Sequence, residues 1–338
     1  MKFVKKLFYL KSVFSIRIFR FSSAIAFLYP CYYSFTASAL DYPYKPVRII
    51  VAVSAGGPTD LLARAIGQKL SEIWHQTVVI DNRSGGGSNI GMDLAAKSPA
   101  DGYTLLMAPP AFAVNASLYK KLAYDPIKDF AAVSLVATYP LLLVVHPSMP
   151  FRTASGLVSF AKTTSMRLNY ASAGNGTAPH LAAEWFKHIA GIELLHIPYR
   201  GAAPAMVDLM GGHAQMAFTT PPAVLAPIEQ GRLVPIALTS SKRIDQLPQT
   251  PTFSESGYPQ FIAMGWYGMV VPAGTPAFII AKLQKDTLKV LEDKTVLERL
   301  KSLGLDAAGS SSIAFSIWIK QEINRWASVV KLSGAQVD

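Results

Sequence analysis

Three glycine-rich turns in this chain carry hydroxyls and backbone N–H groups at spacings suited to holding a small anion. They are Ser54-Ala55-Gly56-Gly57-Pro58-Thr59-Asp60, Ala171-Ser172-Ala173-Gly174-Asn175-Gly176-Thr177 and Pro198-Tyr199-Arg200-Gly201-Ala202-Ala203-Pro204. A helix start has unpaired N–H groups and a partial positive charge, and glycine lets a ligand come close to the backbone. The groups expected at the anion are Gly57 and Thr59 in the first turn and Ser172, Gly174, Asn175, Gly176 and Thr177 in the second. Tyr199, Arg200, Gly201 and Ala203 supply the third turn, with Thr219 at a later strand end and Trp266 as an aromatic wall. Each also has a plainer reading: Thr59 and Thr177 suit helix caps, Tyr199 suits a core, and Arg200 suits a solvated rim. Asp60 would repel an anion, and His180, one turn into the second helix, fits packing behind the site better than direct contact.

Other chemistries find less support. Ser159 and Lys162 satisfy a Ser-x-x-Lys spacing, but on an amphipathic helix and without the partner motifs that such a nucleophile needs. The loop Gly85-x-Gly87-x-x-x-Gly91 departs from the dinucleotide pattern and follows the wrong strand of its unit. The six histidines form neither a His-x-x-x-His pair nor a His-Glu-x-x-His motif, so no metal and no cofactor is expected. The competing class is a secreted α/β hydrolase or lyase using the same turns, with Thr59, Ser172 or Thr177 as nucleophile and only His180 as a nearby base. An orphan sensory receptor carries the same sequence signature.

The elements that must position these turns alternate. Val47–Val53 reads as a buried strand and Thr59–Trp74 as a helix with Leu61, Leu62, Ala65, Ile66, Leu70 and Ile73 on one face. Strand Thr77–Ile80, helix Ile90–Lys97 and strand Tyr103–Ala108 continue the unit, an order that implies a largely parallel sheet with helices on both faces. Val133–Val145 reads as one long β-rich run. A second unit follows: helix Thr153–Thr163, strand Leu168–Ala171, helix Ala178–Ala190, strand Leu194–Ile197, helix Pro204–Met210 and strands Ala214–Thr219 and Ile236–Thr239. The tail adds strand Tyr267–Val271 and helices Pro276–Asp293 and Ile313–Val330. Breaks near 146 and 240 divide the chain into lobe 1, residues 40–145 plus 240–338, and lobe 2, residues 146–239. Open α/β sheets bind ligands beyond the carboxyl ends of their strands, which is where these turns lie.

The first 39 residues hold six Lys or Arg and no acid, then an apolar run from Phe21 to Phe35 and the small-x-small triplet Ala37-Ser38-Ala39. This reads as a signal peptide, residues 1–39, rather than a membrane anchor, and it implies a periplasmic protein. Its removal takes six of the 32 basic residues and leaves 26 against 21 acidic, a formal +5 in place of +11. The remaining charges are scattered, which argues against a nucleic-acid partner. Cys31, the only cysteine, lies inside the presumed signal, and bulky Tyr29 and Pro30 before it argue against lipidation.

With these motifs assembled, the chain resembles the Bug family, the extracytoplasmic receptors of tripartite tricarboxylate transporters. The resemblance runs from Tyr42 to Asp338. It rests on Tyr44-Lys45-Pro46-Val47-Arg48-Ile49-Ile50-Val51, Gly56-Gly57-Pro58-Thr59-Asp60, Asn82-Arg83 with its glycine loop, Asp101-Gly102-Tyr103-Thr104-Leu105-Leu106, Asn169 through Thr177, His180-Leu181 and His196-Ile197-Pro198-Tyr199. It implies an α/β, two-lobed, type II-like periplasmic-binding-protein fold with the ligand cleft between the lobes. It also implies a monomer that closes on a small organic anion and delivers it to membrane transporter subunits, and no enzyme. The chain departs from the family where Val51-Ala52-Val53-Ser54 replaces usual prolines, where Arg200 stands for a common Lys, and where Phe218-Thr219-Thr220-Pro221 replaces a segment that usually carries Asp-Asn. The last change removes an acid and argues against an amino-acid ligand.

Overall fold

The computed structural model describes residues 42–199 and 201–335. The presumed signal peptide with Cys31, and Arg200, lie outside the described residues. Chain order begins β1 (Val47–Val51), α1 (Pro58–Trp74), β2 (Val78–Asn82), α2 (Asn89–Ala96), β3 (Thr104–Ala108) and α3 (Ala111–Leu118). It continues through β4 (Phe130–Pro140), β5 (Leu142–Val145), α4 (Ala154–Thr163), β6 (Asn169–Ser172), α5 (Ala178–Ala190), β7 (Leu195–Pro198), α6 (Ala202–Met210) and β8 (Met216–Thr219). Last come α7 (Leu225–Glu229), β9 (Val234–Leu238), β10 (Met264–Pro272), α8 (Ala277–Leu291), α9 (Lys294–Ser302), β11 (Asp306–Ala307) and α10 (Ser312–Ser333).

These strands form two sheets, a six-stranded one ordered β11-β4-β10-β3-β1-β2 and a five-stranded one ordered β7-β6-β8-β5-β9. The parallel expectation holds for β2-β1-β3 and for β7-β6-β8. Elsewhere it gives way: β10 returns antiparallel between β3 and β4, and β5 lies antiparallel to β8 and β9. Alternation in β1 explains the layering. Val47, Ile49 and Val51 pack under Leu62, Ile66 and Leu70 of α1, while Ile50 turns to the opposite layer with Phe112, Trp266 and Phe315. Each such side chain contributes roughly 1.5–3 kcal/mol by leaving water, which is why a strand buried on both faces is apolar throughout. At the end of α1 the Trp74 indole donates to Asp286 of α8 at 2.6 Å, tying the returning C-terminal segment to the first helix.

The long run Val133–Val145 is two strands in two different sheets, and Leu141 is where the chain crosses. Thr239, fully buried, holds this crossing together. Its hydroxyl accepts the Leu141 amide at 2.8 Å and donates to the Ala263 carbonyl at 2.6 Å, while its own amide donates to the Leu141 carbonyl at 2.8 Å. The crossing also fixes strand direction. β4 ends where β5 begins, so the carboxyl ends of β1, β2 and β3, which run with β4, face the carboxyl ends of β6, β7 and β8, which run against β5.

Candidate functional site

The three turns sit at these facing strand ends, and each leads into a helix whose N-cap is a backbone position with no side-chain cap: Gly57 for α1, Thr177 for α5 and Gly201 for α6. Helices α4, α9 and α10 differ, because Thr153, Asp293 and Ser311 accept their first N–H groups, whereas α2, α3, α7 and α8 likewise begin without a side-chain cap. Orphan donors at a helix start need an acceptor, and at the three turns the protein's own cap side chains do not supply it.

In the first turn Asp60 is turned inward. Its carboxylate, with only 2% of the side chain exposed, accepts from the Gly56 amide at 2.9 Å, Arg64 Nε at 3.0 Å and Asn82 Nδ2 at 3.0 Å. Burial alone would raise its pKa, but these hydrogen bonds and the Arg64 charge outweigh it and hold the carboxyl below its ordinary value. Asp60 therefore shapes the turn. Thr59 is buried close enough to the Tyr267 hydroxyl to lower its pKa against the effect of burial, and the Tyr267 ring stacks on Tyr139 at 5.2 Å.

The second and third turns are brought together by the parallel pairing of β6 with β7. The Tyr199 amide donates to the Ser172 carbonyl at 3.0 Å and the Gly201 amide to the Ala173 carbonyl at 3.2 Å. Asn175 and Ala203 are exposed beside them. Gly176 has φ of +74°, and a Cβ there would stand 2.2 Å from Leu118 at the end of α3, so the turn depends on a missing side chain. The hydroxyls face inward. Thr177 donates to the Gly174 carbonyl at 2.7 Å, and Ser172 Oγ accepts the Gly174 amide at 3.1 Å and lies 2.6 Å from His196 Nε2. Tyr199 spends its hydroxyl on Asp208 at 2.6 Å. Thr219 is buried at the end of β8, paired with Leu142 beside the crossing.

Trp266 is not an aromatic wall. It is fully buried and meets the Phe315 ring edge-on at 5.7 Å. Alternation along β10 is the reason: Trp266, Gly268 and Val270 face α10, and a Cβ at Gly268 would overlap Phe315 at 1.9 Å. The next residue, Tyr267, is the one that reaches the first turn, and Trp266, Gly268 and Val270 at spacing two were the signal for it.

His196 and Thr239 also went unread in the sequence. His196 of β7 lies in register with Tyr170 of β6 and stacks on it at 4.8 Å, and His180 of α5 stacks on His196 at 4.1 Å. Behind this stack is a cavity of about 590 Å³ where Asn175, His180 and His196 meet Glu184 and Lys187. Another, of about 580 Å³, opens beside the crossing at Pro140, Pro222, Lys301 and Asp306. The glycine loop after β2 is structural: Asn115 donates to the Gly87 carbonyl at 2.8 Å and Tyr119 to the Gly86 carbonyl at 3.2 Å.

Known proteins share this architecture. BugT of Bordetella pertussis is 36% identical over 302 residues, covering 89% of this chain and 93% of BugT. Among solved structures, the R. palustris protein Rpa4515 with adipate is 36% identical, with a TM-score of 0.76 over 87% of this chain and 99% of that one. MatC from Rhodopseudomonas palustris with bound malate is 28% identical, with a TM-score of 0.73 over 86% of this chain and 100% of its own. Residues 62–335 match the model of the tripartite tricarboxylate transporter family receptor, and with that match, the two sheets and the facing turns, the chain belongs to this receptor family.

Proposed function

We propose that this chain is an exported, periplasmic receptor that binds a small organic carboxylate at the facing turns and delivers it to membrane transporter subunits. The observation that carries the reading is that α1, α5 and α6 each begin, at a facing strand end, without a side-chain cap. A carboxylate supplies the acceptor those N–H groups lack. Adipate and malate, held by the two R. palustris proteins, belong to this chemical class. Among the described residues no helix is long and apolar enough to cross a membrane, in keeping with a receptor released from its targeting segment.

In this reading Gly57, Asn175 and Ala203 offer backbone N–H groups and Thr59 and Thr177 offer hydroxyls that can re-aim, while Gly174, Gly176 and Gly201, whose amides are held by Ser172 Oγ, His180 Nδ1 and the Ala173 carbonyl, shape the turns. Ser172 and Tyr199 brace the turns, Arg200 clamps the anion, and Thr219 lines the floor. The lobes are residues 40–141 with 240–338 and residues 142–239, rather than divided after residue 145, because β5 pairs with β8 and β9 in the five-stranded sheet. Thr219 and Thr220 leave an ammonium group without an anionic partner, which is costly in a desolvated cleft, so simple mono- and dicarboxylates are favoured over amino acids.

Calorimetric titration with adipate, malate, succinate and aspartate tests this. Saturable binding of at least one simple carboxylate is expected, with succinate ahead of aspartate. Thr177→Ala should weaken the complex by roughly 1–3 kcal/mol. Undiminished affinity in that variant and in Gly201→Ala would move the anion away from these turns. One observation favours a hydrolase: Ser172 Oγ and His196 Nε2 are 2.6 Å apart at a strand-to-helix turn. Ester cleavage that disappears in Ser172→Ala would establish that activity instead.

A further inference from the structure

The stacked rings behind the second turn have no task in the receptor reading, yet they hold that turn at two points. The Gly176 amide donates to His180 Nδ1 at 3.0 Å, and Ser172 Oγ connects His196 Nε2, 2.6 Å away, to the Gly174 amide, 3.1 Å away. The geometry points to His196 as a positioning residue that takes up a proton when a carboxylate binds at the Gly174–Thr177 turn. The inference rests on the anion site proposed above.

The two rings divide the work. His180 Nδ1 accepts an N–H and therefore carries no proton, and the ring is 4% exposed. Burial first, then the neighbouring His196 and Lys187, push its pKa down to about 3, so it stays neutral. His196 is only half-buried. Burial holds its pKa below the ordinary value, Glu184 pulls it up and Lys187 pushes it down. It is poised to gain a charge if a further anion arrives.

Among the described residues, the charged and titratable groups around His196 are few. From β6 comes Tyr170, whose hydroxyl donates to Glu184. From α5 come His180, Glu184 and Lys187, the last two an ion pair at 3.0 Å. Arg167 and Glu193 stand at the cavity mouth, and the described end of α10 adds only Ser333, Gly334 and Ala335 there. The bound carboxylate would add a negative charge one hydroxyl beyond the ring. The cavity of about 590 Å³ gives solvent protons access from behind.

Protonation leaves the turn intact. Charged His196 donates from Nε2 to Ser172 Oγ, and the serine proton then goes to the Gly174 carbonyl, 3.2 Å away. Linkage makes the effect reciprocal: an anion that raises the proton affinity of His196 is bound more tightly by the same factor once the proton is on.

Titration calorimetry with adipate near pH 6, in buffers of different ionisation enthalpy, counts the protons taken up on binding. About half a proton is expected for the wild type, with affinity rising about threefold to tenfold from pH 7.5 to pH 6. His196→Gln keeps a hydrogen-bonding group near the Nε2 position but cannot titrate. Whatever its affinity at pH 7.5, it should lose both the proton uptake and the pH dependence. Taking the difference between the two proteins cancels the protonation of adipate itself. His180→Asn should retain the uptake. Equal uptake in wild type and His196→Gln overturns the inference. Spectra of 15N-glycine-labelled protein separate the two readings. Adipate that binds without moving the Gly174 and Gly176 amide resonances overturns the anion site and the proton coupling together. Adipate that moves them without proton uptake overturns the coupling alone.

Discussion

Gly176 is a residue whose contribution is an absence. Its φ of +74° disfavours any other residue, and Leu118 occupies the place of its Cβ at 2.2 Å. Gly176→Ala should cost about 1–3 kcal/mol in urea unfolding, from backbone strain and from displacement of Leu118. Adding Leu118→Ala removes the clash but not the strain, so the double variant should lose less than the sum of the singles. His180 makes a different prediction. Its folded pKa, about 3, lies below the ordinary value of 6.5, so the unfolded chain binds a proton that the folded one refuses. Its contribution is fully present above pH 6.5 and is lost progressively as pH falls toward 3, a loss on the order of 3–5 kcal/mol. Urea midpoints of His180→Asn, which keeps an acceptor near Nδ1, should fall less than those of wild type between pH 7 and pH 4. An identical fall would mean that His180 does not titrate between the two states. Only part of this residue chemistry was legible in the sequence. The glycines announced the turns, but the partners of Ser172 and Thr177 depend on which strands become neighbours, and nothing local to Ser172 pointed to His196, 24 positions on.

Elements were legible where periodicity is long and both ends are marked. The helix Ala178–Ala190 is found at those bounds, with Thr177 before it and Gly191 after it in a left-handed cap. Short helices without an apolar stripe were not: α3 is buried on most sides, so it has no polar face to set a period. The crossing at Leu141 was hidden for a similar reason, because an apolar residue in an apolar run carries no mark of changing sheets. What fixes it is Thr239, 98 residues away, joining Leu141 to Ala263. Thr239→Val preserves shape but leaves the buried Leu141 amide and Ala263 carbonyl with one partner fewer, at a cost of roughly 1–3 kcal/mol. The joint also links both chain crossings, so the same variant should speed amide exchange at Leu141 beyond what Thr250→Val, a buried threonine outside the joint, produces. Equal exchange in the two variants would show that the hydroxyl does not hold the crossing.

At the scale of the whole molecule, the last quarter of the chain belongs with the first. α10 packs on α3 and β4 of one sheet and on α5 of the other, with Trp326 set edge-on to Trp185 at 6.3 Å. A chain ending before residue 264 should therefore be insoluble or bind hydrophobic dyes rather than fold as a smaller receptor, which expression of residues 40–260 checks directly. Sequence pattern foresaw that the tail returns but not where it inserts, since strand order is set by which faces remain to be covered. The place of β10 has a consequence in time. Residues 264–272 form the strand between β3 and β4, so until they emerge the larger sheet exists as two separate pieces with open edges. Most of the polypeptide must be synthesised before its largest sheet can close, and during that interval the chain is an unfinished thread that can be bound by a chaperone or passed through a narrow channel without first being unfolded.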